Sequence, residues 1–308
     1  MKIACIGNIV YDCTVKSDEF VKEGGKYSFN NAVFATGGPA STAASVLAKY
    51  GDQVDFYGRI GKDAPGNIVF QEMLEEGINM KHVYISDEVM TPFGFILVSN
   101  NDRTIFSLRS PLDFKDPKID QVQFETDYDY ILTDGKYKKD SIELIMANPN
   151  AVSIIDAGRV NSDVLELCQY IDYIVCSEEF ANKVTGKKLN NDYQNNVEVF
   201  NTLKSLYPQA IGITITVGKN GYICDRDGKV LCCPAYDPQN PSIDTNGAGD
   251  IFHGAFTHAL ANRYGYYDGL QFANITAAIS TTRRGGRKSC PDLQEVEDVM
   301  HPKVYQKQ

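Results

Sequence analysis

Four short runs rich in β-branched residues, Tyr130–Thr133, Val152–Asp156, Tyr173–Cys176 and Ile211–Val217, follow one another with helical stretches between them. A strand, a crossover helix and a second parallel strand make one βαβ unit, and repeats of it build a parallel sheet covered by helices on both faces. Lys2–Ile6 and Val54–Arg59 read as further strands. Ala40–Tyr50 is an Ala-rich helix entered through Gly37-Gly38-Pro39, and Asn67–Glu76 a helix stopped by Gly77. From Tyr222 to Cys233 the pattern is a hairpin turning at Asp227-Gly228. The expectation is an α/β fold with a mostly parallel central sheet. Two segments break the rhythm: Tyr11 to Thr36 and Pro92 to Leu108 are rich in Val, Phe, Thr and Ser, with no helix in either. These are expected to pair as a small antiparallel sheet standing off the main part of one single domain.

The run Asp244-Thr245-Asn246-Gly247-Ala248-Gly249-Asp250 precedes Phe252, Ala255, Phe256, Ala259 and Leu260, which recur at helical spacing. Small residues at a helix start leave backbone N–H groups open, and with the positive end of the helix dipole they form an anion site. A carboxylate placed there competes with simple anion storage but suits phosphoryl transfer. The amides of Gly247, Ala248 and Gly249 would stabilise the moving phosphoryl group, and Asp250 would take the proton of the attacking hydroxyl. A capping Asp after a glycine-rich turn accounts for the same residues without any ligand.

At 308 residues and 43% hydrophobic content the chain can bury a sizeable core. Its formal net charge of −10 argues against a nucleic-acid partner and against an anionic membrane surface. No apolar run approaches a membrane span and no signal peptide opens the chain, so a cytoplasmic location is expected. Eight scattered cysteines without a Cys-x-x-Cys pair speak against zinc and disulfide frameworks. No Gly-x-x-x-x-Gly-Lys-[Ser/Thr] occurs, and no Gly-x-Gly-x-x-Gly follows the first strand, which removes a Walker loop and disfavours a dinucleotide site.

The chain resembles the ribokinase/PfkB family of carbohydrate kinases along nearly its whole length. One signature is the Asp244–Asp250 run. The other is Gly37-Gly38-Pro39-Ala40-Ser41-Thr42-Ala43-Ala44, continuing to Gly58-Arg59-Ile60-Gly61-Lys62-Asp63 and Gly66. Gly7-Asn8 with Asp12, Ser177-Glu178-Glu179, Thr216-Val217-Gly218-Lys219-Asn220-Gly221 and Arg284-Gly285-Gly286 lie in register with them. The resemblance implies a three-layer ribokinase-like sandwich whose β-sheet lid covers the sugar, with ATP and Mg2+ as cofactors. Two departures stand out. Thr42 replaces the family's usual Asn, and Ser177-Glu178-Glu179-Phe180 replaces the Asn-x-x-Glu element that organises magnesium.

The same resemblance assigns Thr216, Gly218, Gly221 and Asn274 to the nucleotide, although a turn and a solvated helix residue also account for them. Asp12, just past the first strand, would accept two sugar hydroxyls. Gly38 would admit the sugar to the backbone, and Thr42 would offer its hydroxyl. Arg109, beside the lid, would hold an anionic group if the sugar carries one. Asp244 and Ser289 match positions near the family's monovalent-cation site, which implies K+. The four histidines show no metal or Ser-His-Asp spacing and are read as structural or surface residues. The lid cannot bury both faces alone, so a homodimer through Phe29, Val33, Phe93, Phe95 or their neighbours is expected. The alternatives are a nucleoside or vitamin kinase, for which Phe93, Phe95 and Phe106 could stack a base, and a catalytically silent sugar or nucleotide sensor.

Overall fold

The computed structural model describes residues 1–17, 21–99, 102–115, 118–119 and 122–301. Of the two lid segments, 18–20 and 100–101 lie outside the described residues. The strands are β1 (Lys2–Ile6), β2 (Val10–Ser17), β3 (Ala32–Gly37), β4 (Gln53–Gly61), β5 (Asn79–Ser86), β6 (Phe93–Ser99), β7 (Asp102–Leu108), β8 (Tyr130–Thr133), β9 (Val152–Ala157), β10 (Tyr173–Ser177), β11 (Gly212–Thr216), β12 (Tyr222–Arg226) and β13 (Lys229–Cys233). The helices are α1 (Pro39–Lys49), α2 (Ala64–Glu75), α3 (Leu112–Lys115), α4 (Lys138–Ala147), α5 (Ser162–Leu167), α6 (Glu178–Thr185), α7 (Tyr193–Leu206), α8 (Ala248–Ala261), α9 (Tyr266–Ser280) and α10 (Leu293–Met300).

The main sheet runs β13-β12-β11-β10-β9-β8-β1-β4-β5. It is parallel from β11 through β5, and the β12–β13 hairpin closes one edge antiparallel. Positive φ at Asp227 and Gly228 (50° and 79°) gives the hairpin the left-handed turn its sequence foretold. Strand residues alternate between two cores, as the pleat dictates. Ile3, Cys5, Leu132, Ile154 and Val175 face a cluster built with α1, α8 and α9. Ile155, Ala157, Ile174 and Cys176 face α5 to α7. Fully burying a side chain such as Phe256 or Phe200 is worth about 1.5–3 kcal/mol, so both helix layers are held strongly. Gly254 lets α8 lie close to α1, since a Cβ there would stand 2.8 Å from the Ala43 carbonyl oxygen. All eight cysteines are free, and seven of them are at least partly buried.

The lid is a separate sheet ordered β3-β2-β6-β7. It is mixed, which corrects the antiparallel expectation: β2 pairs with β6 in parallel, while β3 and β7 pair antiparallel at the edges. The reason is topological. Both β2 and β6 leave the main sheet in the same direction, each rising from the strand end that feeds it. No local sequence pattern records which strand edges will meet.

Candidate active site

The candidate residues lie on segments that follow strands or on the lid: Asp12 on β2, Thr216 and Gly218 at the end of β11, and residues 244–250 at the start of α8. At the first turn of α8, Gly247 sits in the left-handed region (φ 76°) as the N-cap. Ile251 donates to the Gly247 carbonyl at 2.8 Å and Ala248 to the Thr245 carbonyl at 3.4 Å, and the N–H groups of Gly249 and Asp250 stand before the helical ladder begins. Asp250, half-buried, lies in that turn. Gly249 is exposed, and a Cβ built on it meets nothing within 4 Å. His253, read from sequence as structural, braces the turn from behind. Its Nδ1 lies 2.6 Å from the Gly249 carbonyl oxygen and 3.4 Å from Asp156 Oδ2, and its Nε2 lies 3.2 Å from the Val175 carbonyl oxygen.

Asp244 ties this turn to the segment before α10. One carboxylate oxygen accepts from the Asn246 N–H (2.9 Å), the other from the Gly285 N–H (3.3 Å). Ser289 donates to the Gly286 carbonyl at 2.7 Å. Arg287, buried, completes the anchor with ion pairs to Glu76 (3.0 Å) and Glu72 (3.3 Å). Both residues expected near a monovalent cation therefore shape one loop.

On the nucleotide side the sequence assignments divide. Thr216, at the end of β11, donates to the Cys176 carbonyl at 3.3 Å, and Gly218 (φ 56°) opens the turn that follows with free space around its Cα. Gly221 is required by the fold itself: its φ is 92° and a Cβ would sit 2.1 Å from the Cys233 carbonyl oxygen. Asn274 spends its amide on the segment after β13, donating to Pro234 O (3.0 Å) and accepting from the Tyr236 N–H (3.4 Å). In the altered magnesium element Ser177 caps α6 by accepting from the Phe180 N–H (3.1 Å), Phe180 is core, and Glu179 pairs with Lys183 on the surface. Glu178, half-buried, is the first residue of α6, directly after β10.

The side expected to take the acceptor is built around Asp12 on β2. Burial pushes its carboxyl up from 3.8 to about 6, and none of the described residues donates a hydrogen bond to it. Its flanking positions are glycines, and they must be: a Cβ on Gly37 would lie 2.0 Å from one carboxylate oxygen and a Cβ on Gly94 2.1 Å from the other. Sequence reasoning passed over Gly94 and took Gly37 only as a turn residue. Gly38 adopts φ 103°, with its missing Cβ 2.6 Å from the Asn8 carbonyl oxygen, and caps α1. Thr42 is buried one turn into that helix.

Beneath them lies Asp134, which the sequence did not single out. It accepts from the N–H groups of Asn8 (2.7 Å), Lys136 (3.0 Å) and Ala40 (3.4 Å), and burial raises its pKa. Arg109 donates through Nε to Ser107 Oγ at 3.1 Å, and burial is the main force lowering its pKa. Strand register decides which lid residues share Asp12's face. Asp12, Gly94 and Ser107 lie side by side on one face, whereas Cys13, Phe95 and Phe106 share the other, with Tyr11, Phe93 and Leu108 beside them. The phenylalanines expected to stack a base therefore point away from Asp12.

The comparisons with known proteins agree with this fold. The model of the pfkB family of carbohydrate kinases matches residues 1–293. The Haemophilus influenzae ribokinase is 28% identical over 306 residues, covering 97% of this chain and 98% of its own length. Among solved structures, the Arabidopsis thaliana ribokinase complexed with ribose and ATP superimposes with a TM-score of 0.82 at 19% identity, covering 97% of this chain and 98% of that one. A Methanocaldococcus jannaschii nucleoside kinase does so at 0.79 and 18%, covering 97% of each chain. With the helices that carry its two signatures packed against each other and the family model matched from residue 1 to 293, the chain belongs to the pfkB family of carbohydrate kinases.

Proposed function

We propose that this kinase transfers the γ-phosphate of ATP to a primary hydroxyl of a small sugar held under the lid by Asp12. The observation that carries the reading is Gly249. Glycine within a helix costs about 0.5–1 kcal/mol relative to Ala, yet open space surrounds the missing Cβ and the fold does not need it. A phosphate seated on the helix mouth supplies the need. Related proteins support the two substrates, since an Arabidopsis ribokinase has been solved with ribose and ATP. The acceptor oxygen bonds to the γ-phosphorus as the bond from phosphorus to the β–γ bridging oxygen breaks. ADP leaves with that electron pair, and the hydroxyl proton passes to Asp250.

The chain's own residues divide the work. The amides of residues 247–249 face the charge that develops, His253 and Asp244 keep that turn rigid, and the lid excludes water. Magnesium, when bound, would neutralise charge on the phosphates. Glu178 is the hard oxygen donor this chain offers it in place of the family's Asn-x-x-Glu pair. A K+ ion beside the Asp244 loop would stiffen the anion hole further, and turnover in KCl should exceed turnover in tetramethylammonium chloride. Equal rates in the two salts would remove K+ from the scheme.

Asp250→Asn tests the core of the reading, because it keeps shape and removes basicity. Turnover should fall ~10²–10⁴-fold, the range for a lost general base, with ATP binding by calorimetry within a few-fold of wild type. Near-normal turnover would exclude Asp250 as the base.

A further inference from the structure

The acceptor end of the cleft holds two arginines that the fold leaves without an acid. The chain as a whole is acidic, at −10, yet four cationic side chains meet beneath the lid. Arg59, Arg109, Lys136 and Arg159 gather there around Asp113 and Asp134. Arg59 and Lys136 are both spent on Asp113. The Arg59 guanidinium lies 3.0 Å from Asp113 Oδ1, and Lys136 Nζ donates to the Asp113 carbonyl at 2.7 Å and lies 3.8 Å from the same carboxylate oxygen. Asp134 is spent on three backbone N–H groups. Arg109 and Arg159 are left over. Among the described residues neither guanidinium forms an ion pair.

Topology aims this pair at the acceptor. Ser107, which holds Arg109 by its Nε, lies on the same face of the lid as Asp12, separated from it only by Gly94, which has no side chain to fill the gap. Arg109 immediately follows β7, whose last residue Leu108 is level with Phe93, and Phe93 is level with Tyr11. It therefore stands at the base of the lid, next to the start of β2. Arg159 approaches from the opposite side, in the loop after β9, the strand beside β8 and next but one to β1. Burial of Arg109 and its like-charged neighbour Arg159 both disfavour the charge on its guanidinium. An arginine half-buried beside another arginine, with its Nη groups uncommitted, is what a bidentate anion site looks like before its anion arrives.

We propose that the acceptor is an anionic sugar, bearing a phosphate, sulfonate or carboxylate away from the hydroxyl that is phosphorylated, and that Arg109 and Arg159 bind that group. This rests on the sugar-kinase reading above and names its substrate class. Asp12 would take hydroxyls at one end of the sugar while the arginine pair takes the anion at the other. The product would carry two anionic groups.

The test is ADP release with ATP and matched acceptor pairs: fructose against fructose 6-phosphate, a 6-sulfo-6-deoxyhexose against its parent hexose, and a sugar acid against the corresponding sugar. Each pair is run on wild type, Arg109→Gln, Arg109→Lys and Arg159→Gln. We expect kcat/KM on one anionic acceptor to exceed that on its neutral counterpart by at least 100-fold. Arg109→Gln and Arg159→Gln should each cut this preference at least tenfold through the acceptor KM, and Arg109→Lys should restore part of it. Arg159 is exposed, so its variant will fold. A neutral acceptor preferred by wild type overturns the inference and leaves the kinase reading intact. An equal loss on both members of a pair, or a loss in the KM for ATP alone, also overturns it, because the arginines would then serve the nucleotide or the lid. No turnover of any acceptor brings down the kinase reading itself.

Discussion

Replacing Asp12 with Asn should make the free protein more stable and the enzyme worse. The carboxyl is held at about 6 by burial against an ordinary 3.8. At 1.36 kcal/mol per pKa unit this is a penalty of about 3 kcal/mol for keeping it charged at neutral pH. The figure is an upper bound, since a half-buried carboxylate keeps some of its water. A raised pKa means the folded chain holds its proton longer than the unfolded one. The side chain therefore costs nothing below pH 3.8, the cost grows as pH rises, and it is complete above about 6. Asp12→Asn fits between Gly37 and Gly94 as the native side chain does, so it should raise Tm by several degrees at pH 7.5. At pH 4.5 the gain should shrink to about 1 kcal/mol. The same variant loses charge-assisted bonds to two sugar hydroxyls, about 2 kcal/mol, and the sugar KM should rise roughly 30-fold. In wild type the sugar KM should climb as pH falls below about 6, because the protonated carboxyl accepts less well. Calorimetric melting at the two pH values and acceptor titrations at saturating ATP read these outcomes separately. A stability gain independent of pH would refute the desolvation argument, and an unchanged sugar KM would place the acceptor elsewhere.

Gly249→Ala should fold normally and melt slightly higher, while Gly249→Val, whose Cβ also meets nothing within 4 Å, should raise the ATP KM at least tenfold by filling the phosphate space. Normal ATP kinetics in the valine variant would move the anion hole. On assembly, Phe34, Phe106 and Leu108 stay 46–52% exposed on the lid face away from Asp12, and Val33 and Ile105 53–56% exposed on the other. A second copy of the lid is the expected cover. Light scattering at micromolar concentration should give twice 34.2 kDa for wild type and the single mass for Phe106→Asp, whereas a wild-type mass near 34.2 kDa would rule the dimer out.

The layered fold was legible because its signals are local and periodic. Each β-branched run became a strand within a residue or two, and the Asp227-Gly228 turn closed the hairpin expected of it. What escaped was whatever depends on two distant segments meeting. The parallel β2–β6 pair, the support of Asp134 beneath α1 and the approach of Arg159 to Arg109 are set by strand order, which no run of residues spells out. His253 was legible only in outline. The sequence reads it as a structural or surface residue, and only the fold shows that its ring faces the Gly249 and Val175 carbonyl oxygens.

Glycines and one asparagine show how residues of a motif in register can also serve the fold. Gly221 and Asn274 stand at positions the family resemblance gives to nucleotide, and the fold gives each a structural use. Cys233 excludes a Cβ at the first, and Pro234 with Tyr236 occupies the amide of the second. Gly249 and Asp12 show the reverse. The missing Cβ of Gly249 faces open space, and the buried carboxylate of Asp12 has no donor among the described residues. A residue whose identity the empty fold already demands says nothing about a ligand. One that the empty fold leaves unexplained, at some cost in stability, is where binding should be sought. By that criterion the nucleotide end of the cleft rests on Gly249 and the acceptor end on Asp12 with the Arg109–Arg159 pair. The positions worth mutating first are therefore those four.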